Sequence, residues 1–383
     1  MPRKKGEAEA KGQVGIPAAL AAAVAALAIL AQADAQPAPQ PQSVLAERHL
    51  ANIRQLTAGR KNAEAYFSTD GTKLIFQSTN DWGGGTVTLP AGTPLSSTKG
   101  LGCYQIYVLE LDTNSLRRVS LGTGANTSGS FFPGDRRVLF ASTHLARQPC
   151  PPEPKRAGRD HWALDDYDIY SIGLNGQGLH RMTATPGYDA EATIAPDGRT
   201  IVFTSMRDGD PDLYAMNLDG THVRRLTTEL GYDGGAFFSP DSKRIVYRAA
   251  HPQNRTELEA YTALLAQRLV APGPWDLFVM NADGSGRRQV TTNGASNGAP
   301  AFHPDGQRII FSARGQDPGT DGPPSSHLHL IHADGTGGEQ LTTVGRVNSF
   351  PRFSPDGRRL VWVSDRHATA DGEVNLFMAD WVP

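Results

Sequence analysis

The stretch that decides the fold is Ala190–Thr227, "AEATIAPDGRTIVFTSMRDGDPDLYAMNLDGTHVRRLT". It contains four β-rich runs separated by turn residues. Its "PDG" turn recurs in variant form, and the six turn aspartates are Asp70, Asp135, Asp197, Asp241, Asp305 and Asp356. Its third run, "DLYAMNL", also occurs in six versions, from "QIYVLEL" to "NLFMADW". Self-similarity of this kind is the sequence signature of a repeat architecture.

The fourth run of the repeat, of the type "RLT", is displaced at one end of the chain. Five copies follow third runs, whereas the sixth, "IRQLT" at Ile53–Thr57, precedes the first repeat. The last repeat stops after its third run. Pairing the N-terminal strand with the C-terminal blade closes the ring and hides the strand edges. The sequence therefore predicts an all-β fold, a six-bladed β-propeller over residues 53–383 with one inserted helix.

The consensus of these repeats, "SPDGxxIvFxSxRdGxxDLYxMNxDGtxxrrLT", resembles the propeller of the TolB family, the periplasmic component of the Tol system. The likeness runs from Ile53 to Pro383. It implies a periplasmic propeller that binds a protein or another cell-envelope ligand. TolB carries an α/β domain ahead of its propeller, and we expect only a short linker in that position here.

The N-terminal residues have the pattern of a secretory signal. A basic start is followed by the apolar run Ile16–Leu30 and by small residues at Ala33 and Ala35, which predicts cleavage after Ala35. An uncleaved anchor is the alternative, but fifteen residues are fewer than the ~20 that span a bilayer. Residues 1–35 are thus predicted to be a signal peptide and 36–52 a linker, with no membrane span after cleavage and a periplasmic or secreted location. In an oxidising compartment, Cys103 and Cys150 are predicted to form a disulfide.

The charge composition of the chain argues against one class of binding partner, nucleic acid. The chain has 383 residues, a formal net charge of -2, and 37 basic against 39 acidic residues. No basic run is clustered enough to follow a phosphate backbone, so nucleic acid is not an expected partner. We expect a monomer.

A polar residue lies eight places before the turn aspartate in all six repeats, where the chain re-enters at the central channel. These residues are Asn62, Thr127, Asp189, Asp233, Asn297 and Asn348. One interpretation is that they are turn residues bonded to nearby backbone. The other is that, with Glu191, they form a binding site at the channel mouth, where Asp189 and Asp233 could hold a divalent cation such as calcium.

The long insertions all join second to third strands, on the face that also carries the crossovers between blades. They are Asn80–Gly102, His144–Asp165, His251–Pro274 and Gly315–Ser326. The third contains a predicted helix with Thr256 and Glu259 as its capping box, and Leu258, Tyr261, Leu265 and Leu269 along one stripe. Long loops within a compact domain are usually functional, so this face is predicted to bind the ligand.

Two classes of function remain open from the sequence. The first is a binding or scaffolding propeller without catalytic residues. The second is a metal-dependent lyase or hydrolase of polysaccharide or peptide that uses the acidic channel mouth. A serine hydrolase is disfavoured, because the "GASNG" motif around Ser296 lies in a crossover between strands, without the following helix that a nucleophile elbow requires.

Overall fold

The computed structural model describes residues 47–83, 85–88, 93–97, 99–122, 124–145, 150, 161–316 and 321–383. The predicted signal peptide and most of the predicted linker lie outside this range. Within it, no helix has the length and apolar character needed to cross a membrane.

Six antiparallel sheets, each with four core strands, form the blades of a propeller. The inner strands of blades one to six are Asn62–Phe67, Asn126–Phe131, Asp189–Ile194, Tyr232–Phe238, Ser296–Phe302 and Asn348–Phe353. The second strands are Lys73–Asn80, Arg137–Ser142, Thr200–Ser205, Arg244–Ala250, Arg308–Gly315 and Arg359–Ser364. The third strands are Gly100–Glu110, Asp168–Gly173, Asp212–Asn217, Asp276–Asn281, Ser325–His332 and Asn375–Trp381. The outer strands are Ser115–Arg118, His180–Arg181, Arg224–Arg225, Arg288–Gln289, Glu339–Gln340 and, for blade six, Leu50–Gln55.

The recurring "SPD" turn fixes the hairpin between the inner and second strands. In blade four, the Ser239 hydroxyl donates to the Asp241 carboxylate at 2.6 Å. At the end of that turn Arg244 begins the second strand, and its guanidinium donates to the carbonyl of Gly306 in the equivalent turn of blade five. Gly306 has a φ of 70°, a left-handed conformation that favours glycine. The turn motif therefore both shapes a blade and links it to its neighbour.

The recurring "RLT" run forms hydrogen bonds to the start of the third strand. In blade three, Thr227 Oγ1 donates to Asp212 Oδ1 at 3.0 Å, and the Arg225 guanidinium also donates to this buried carboxylate. Blade four repeats the contact, with Thr291 Oγ1 donating to Asp276 Oδ1 at 2.8 Å. The aspartate at the start of a third run thus accepts a hydrogen bond from the threonine at the end of the fourth run.

The apolar core lies between neighbouring blades. Between blades three and four, Val202 and Leu213 pack against Ile245 and Tyr247, and all four are buried. Strands with small or aliphatic residues on both faces suit this position because each central strand is covered on both sides.

The N-terminal strand closes the ring as predicted. Leu50–Gln55 pairs antiparallel with Asn375–Trp381, the last strand of the chain. It begins three residues before Ile53, the predicted start, so residues expected to belong to the linker are part of blade six. A contact between turns also joins blade six to blade one, because Arg359 donates to the carbonyl of Gly71 at 2.7 Å.

The insertions of blades two and four pair with each other. Trp162–Ala163 forms a short antiparallel ladder with Leu269–Val270. The helix between them in the chain is α1, Arg255–Leu265. Its cap differs from the prediction: Asn254 is the N-cap and accepts a hydrogen bond from the Glu257 amide at 3.0 Å.

The predicted apolar stripe of α1 is only partly correct. The Asn254 cap starts the helix early and it ends at Leu265, so Leu269 lies in a strand. Leu265 packs against a buried cluster that includes Trp275, whereas Leu258 is 38% exposed. No residue of α1 is fully buried, which leaves most of the helix surface open to contact.

The predicted disulfide is present. Cys103, in the third strand of blade one, is bonded to Cys150 in the insertion of blade two, with Cα atoms 5.7 Å apart. Closing a loop over a sequence separation of 47 residues restrains the unfolded chain by about 4 kcal/mol in the entropy model. The bond also fixes Cys150 against the third strand of blade one.

Removing the closing strand should open the ring. Deleting residues through Thr57 exposes the edge of Asn375–Trp381, and we expect a lower thermal midpoint or aggregation. A matched deletion of residues 36–43 should leave the midpoint unchanged. Equal midpoints for the two truncations, measured by circular dichroism, would contradict the closure.

Glu373 provides a second test of closure because it joins blade six to the crossover into blade one. Its carboxylate accepts hydrogen bonds from the Gly59 amide, the Asn375 side chain and the amide and hydroxyl of Thr369, at 2.8–2.9 Å. Burial alone would raise its pKa, but these hydrogen bonds lower the pKa from 4.5 to about 2.

A depressed carboxyl pKa stabilises the fold above the unfolded value and loses that effect as pH falls toward the folded value. We therefore expect E373Q to lower the free energy of unfolding by about 2 kcal/mol at pH 7. The difference from the unmodified protein should shrink between pH 4.5 and about 2. Urea titrations across this range check it, with the exposed E259Q as control. A difference that does not change with pH would show that the charge of Glu373 does not contribute.

Candidate functional site

Five of the six predicted polar residues are buried, and the asparagines among them bond both to their own crossover and to the preceding blade. Asn62, Asp189, Asp233, Asn297 and Asn348 occupy equivalent positions and are at most 1% exposed. The asparagine amides donate to crossover carbonyls, as Asn62 does to Gly59 at 2.9 Å and Asn348 to Val344 at 3.1 Å. The structure thus gives the asparagines the contacts expected of turn residues.

The two aspartates considered for a cation are engaged by basic side chains. Asp189 accepts from the Arg207 guanidinium at 3.2 Å, and Asp233 lies 3.3 Å from the His251 ring nitrogen. Burial raises the pKa of Asp233. Within the described ranges, no group of three or more His, Cys, Asp or Glu side chains is arranged to hold a metal.

The prediction for blade two requires a correction. The residue equivalent to the other five is Asn126, which faces Ser142 at the end of the second strand, and not Thr127. The reason is a change in the turn: "PGD" places Asp135 one residue later than "PDG" does, so counting back from it gives a position one residue late. Thr127 instead donates to Gln77 at 2.8 Å.

The channel is lined by the residue two places further along each inner strand. All six inner strands have a break in register at this point, and a bulge of this kind turns a side chain away from the regular alternation. All six residues have a left-handed φ, between 49° and 62°. We call them the channel ring: Glu64, Ser128, Glu191, Gly235, Ala299 and Phe350.

Glu191, which the sequence singled out, is the most connected member of the channel ring. Its Oε2 accepts hydrogen bonds from Thr204 Oγ1, the Tyr232 hydroxyl and the Gly235 amide, each at 2.9 Å. Its Oε1 accepts from Arg248 Nη2 at 2.7 Å. The carboxylate is therefore held in one orientation by three hydrogen bonds, from one strand of blade three and one strand of blade four, and by one ion pair.

Arg248 is enclosed by aromatic rings. Its guanidinium carbon lies 4.7 Å from the ring centroid of Trp162, 4.8 Å from that of Trp275 and 5.4 Å from that of Tyr232. Trp162 comes from the insertion of blade two, so the pairing of the two insertions completes this aromatic box. Cation–π contacts of this kind stabilise a desolvated cation.

The channel ring opens into a cavity of about 460 Å³, which we call the chamber. Besides Glu64, Glu191 and Arg248, it is lined by Arg352 and by several aromatic side chains, chiefly Tyr66, Tyr104, Trp162, Tyr167 and Tyr188. Burial raises the pKa of Glu64, and the charge of Glu191 raises it further.

Two further cavities adjoin the chamber on the loop-bearing face. One of about 590 Å³ shares Tyr104 and Tyr167 with it, and one of about 710 Å³ shares Trp162 and Arg248. At the opposite end of the channel a cavity of about 480 Å³ is lined mainly by phenylalanine and proline from the inner strands and "PDG" turns. The two faces therefore differ in chemistry: one is aromatic and charged, the other largely apolar.

The sequence reasoning missed Glu64, Arg352 and the chamber tyrosines. Glu64 could have been found, because five of the six channel-ring residues lie six places before the turn aspartate. Arg248 and Arg352 had no such signal, since an arginine on a strand normally faces solvent.

Replacing Glu191 tests whether the carboxylate holds the channel ring together. We expect E191Q to lower the free energy of unfolding by about 3 kcal/mol, because it leaves Arg248 buried without its charged partner. Chemical denaturation measures this loss, and E259Q, on the exposed face of α1, serves as the control. A change below about 0.5 kcal/mol would mean that the pair is not coupled to the fold.

Comparisons with known proteins agree with this architecture. The family model of the TolB beta propeller domain matches residues 162–263. The Tol-Pal system protein TolB of Bordetella pertussis is 46% identical over 48 residues, which is 12% of this chain and 11% of that protein. The matched stretch is thus a small part of the curated relative.

Two solved structures share the fold. TolB from Acinetobacter baumannii aligns with a TM-score of 0.50 and 19% identity, over 72% of this chain and 53% of that one. A protein assigned as TolB from Agrobacterium tumefaciens aligns with a TM-score of 0.52 and 17% identity, over 86% of this chain and 97% of that one. The repeats, the family model and the six blades together identify the chain as a TolB-like six-bladed β-propeller.

Proposed function

We propose that this chain is an exported, periplasmic TolB-like propeller that binds a protein or another cell-envelope ligand through its loop-bearing face. The observation that carries the proposal is the position of the cavities: the chamber and its two neighbours all open on the face where the insertions stand. Concave sites with aromatic walls and a few charged groups are the usual form of a binding site.

Several features support export and a binding role. The disulfide Cys103–Cys150 suits an oxidising compartment. The signal-like residues 1–35 suit the same destination. The name of the Bordetella relative places that protein in the Tol-Pal system, an envelope system. We extend to this chain only the inference that its ligand belongs to the cell envelope.

The second candidate is a metal-dependent lyase or hydrolase of polysaccharide or peptide. Its support is the presence of two carboxylates, Glu64 and Glu191, in the channel ring. It is the less favoured of the two, because Glu191 is already fully hydrogen-bonded and Asp189 and Asp233 bond to Arg207 and His251. Metal analysis of the purified protein and turnover assays with polysaccharide and peptide substrates test this class directly.

The helix α1 gives the sharpest test of the proposed face. We expect a variant in which Asn254–Ala266 is replaced by a short Gly-Ser linker to remain folded, because no α1 residue is fully buried and the ladder of Trp162–Ala163 with Leu269–Val270 is kept. The variant should lose binding to the partner that the unmodified protein retrieves from envelope extract, measured afterwards with the purified partner.

The control lies on the opposite face. Lys243 and Arg358 are exposed residues of the "PDG"-type turns, and K243A with R358A should leave affinity unchanged. If the α1 variant keeps full affinity while the turn variant loses it, the functional face is the other one.

A further inference from the structure

Three tyrosine hydroxyls in the wall of the chamber are unused by the protein. Tyr104, Tyr167 and Tyr188 line the chamber and are half-buried. Within the part of the chain that the structure describes, their hydroxyls make no hydrogen bond, and none of the three oxygens is sealed inside the protein. A phenolic hydroxyl both donates and accepts. The chamber wall therefore offers a ligand three uncharged hydrogen-bonding groups.

Aromatic rings also lie where the chamber meets its neighbouring cavities. Tyr104 and Tyr167 line both the chamber and the cavity of about 590 Å³. Trp162, which is 40% exposed, lines both the chamber and the cavity of about 710 Å³. Tyr167 contacts Tyr188 edge to face, with ring centroids 5.9 Å apart. A ligand that continues from the chamber into either neighbour thus passes an aromatic ring.

The two arginines at the chamber are engaged by the protein itself. Arg248 is 6% exposed and pairs with Glu191 at 2.7 Å. Arg352 is also 6% exposed, its Nη1 donates to the carbonyls of Ala299 and Pro351, and its Nε and Nη2 are buried. An anion in the chamber would have to compete with Glu191 for Arg248, and the donors of Arg352 are out of its reach.

The charges around the chamber balance one another. Two carboxylates, Glu64 and Glu191, and two guanidiniums, Arg248 and Arg352, line it. Burial lowers the pKa of Arg352, and Tyr66 and Glu64 oppose that shift. A charged ligand would give up its hydration without meeting a net opposite charge, which is costly. The balance of charge therefore favours an uncharged ligand.

Glu64 keeps one acceptor for such a ligand. Its Oε2 accepts from the Tyr66 hydroxyl and from Ser128 Oγ, both at 3.1 Å. Within the described ranges, its Oε1 accepts only from Gln77 Nε2, at 3.4 Å, which is longer than an ordinary N–H···O hydrogen bond. The Oε1 atom of this half-buried side chain is thus suited to accept from a ligand hydroxyl.

We propose that the chamber binds one ring of an uncharged oligosaccharide, whose hydroxyls bond to the three tyrosine hydroxyls and to Glu64 Oε1. A sugar ring has a face of C–H groups that packs on aromatic rings, and its hydroxyls donate and accept, so it matches these walls. The following rings of the oligosaccharide extend past Trp162, or past Tyr104 and Tyr167, into the neighbouring cavities. This proposal rests on the proposed function, since it names the chemistry of a cell-envelope ligand for the same face.

Calorimetric titration of the purified protein with trisaccharides tests the ligand class. The neutral probes are cellotriose, maltotriose and triacetylchitotriose. The charged probes are trigalacturonate, an anion, and chitotriose, the cationic counterpart of triacetylchitotriose. We expect at least one neutral trisaccharide to bind more tightly than both charged ones. A neutral peptide, N-acetyl-dialanine amide, should not bind.

Phenylalanine variants assign the binding to the chamber. Y104F, Y167F and Y188F each remove a hydroxyl and keep the ring, so the fold should persist by circular dichroism. Each variant should weaken trisaccharide binding roughly twofold to tenfold, the usual effect of losing one neutral hydrogen bond. The matched control is Y247F, because Tyr247 lies in the buried cluster between blades three and four and does not line the chamber. It should bind as the unmodified protein does.

Four results would each overturn the proposal. They are a charged trisaccharide that binds more tightly than every neutral one, binding of the peptide amide in preference to the sugars, no binding of a neutral trisaccharide at about 10 mM, and full affinity in the folded triple variant Y104F, Y167F and Y188F. If the α1 variant nevertheless loses the envelope partner, the proposed function stands without the sugar. If a neutral trisaccharide binds as expected while the α1 variant keeps its partner, the proposed function is contradicted and the sugar site remains.

Discussion

The bulge in each inner strand is the constraint on which the rest of the site depends. One left-handed residue per blade directs a side chain into the channel, at an energetic cost of about 1 kcal/mol where that residue is not glycine. The burial of the central strands against neighbouring blades maintains this strained conformation six times. The fold therefore determines where the channel-lining positions lie, but not which residue type occupies each of them.

The residue types in the channel ring differ between the two halves of the propeller. Blades one to three contribute Glu64, Ser128 and Glu191, whereas blades four to six contribute Gly235, Ala299 and Phe350. Arginines approach this half of the ring closely: a Cβ on Gly235 would be in ordinary van der Waals contact with the Arg248 guanidinium, at 3.5 Å, and Arg352 bonds the Ala299 carbonyl. Acidic groups on one side of the channel thus face two cations that enter from strands of the other side.

Most of the fold, but little of the site, could be predicted from the sequence. Turn motifs, the displaced "IRQLT" run and the two cysteines are local signals, so six blades, their closure and the disulfide could be predicted. The register of blade two could not be read from "PGD", because one transposed residue moves every count by one and selects Thr127 over Asn126. Residue type left two interpretations of the crossover asparagines open, because a turn residue and a ligand-binding residue look alike in the sequence until the backbone partners are known.

No feature of the sequence predicts the contacts between the insertions. These contacts nevertheless determine which side chains surround Arg248. The ladder between Trp162–Ala163 and Leu269–Val270 joins loops from two blades that are not neighbours in the ring. It places Trp162 against Trp275, with centroids 4.7 Å apart, and both rings against Arg248. Trp162 of the blade-two insertion therefore helps to desolvate the Arg248–Glu191 pair, together with Tyr232 of blade four. Because an ion pair strengthens as water is excluded, the loop-bearing face sets the electrostatics of the channel beneath it.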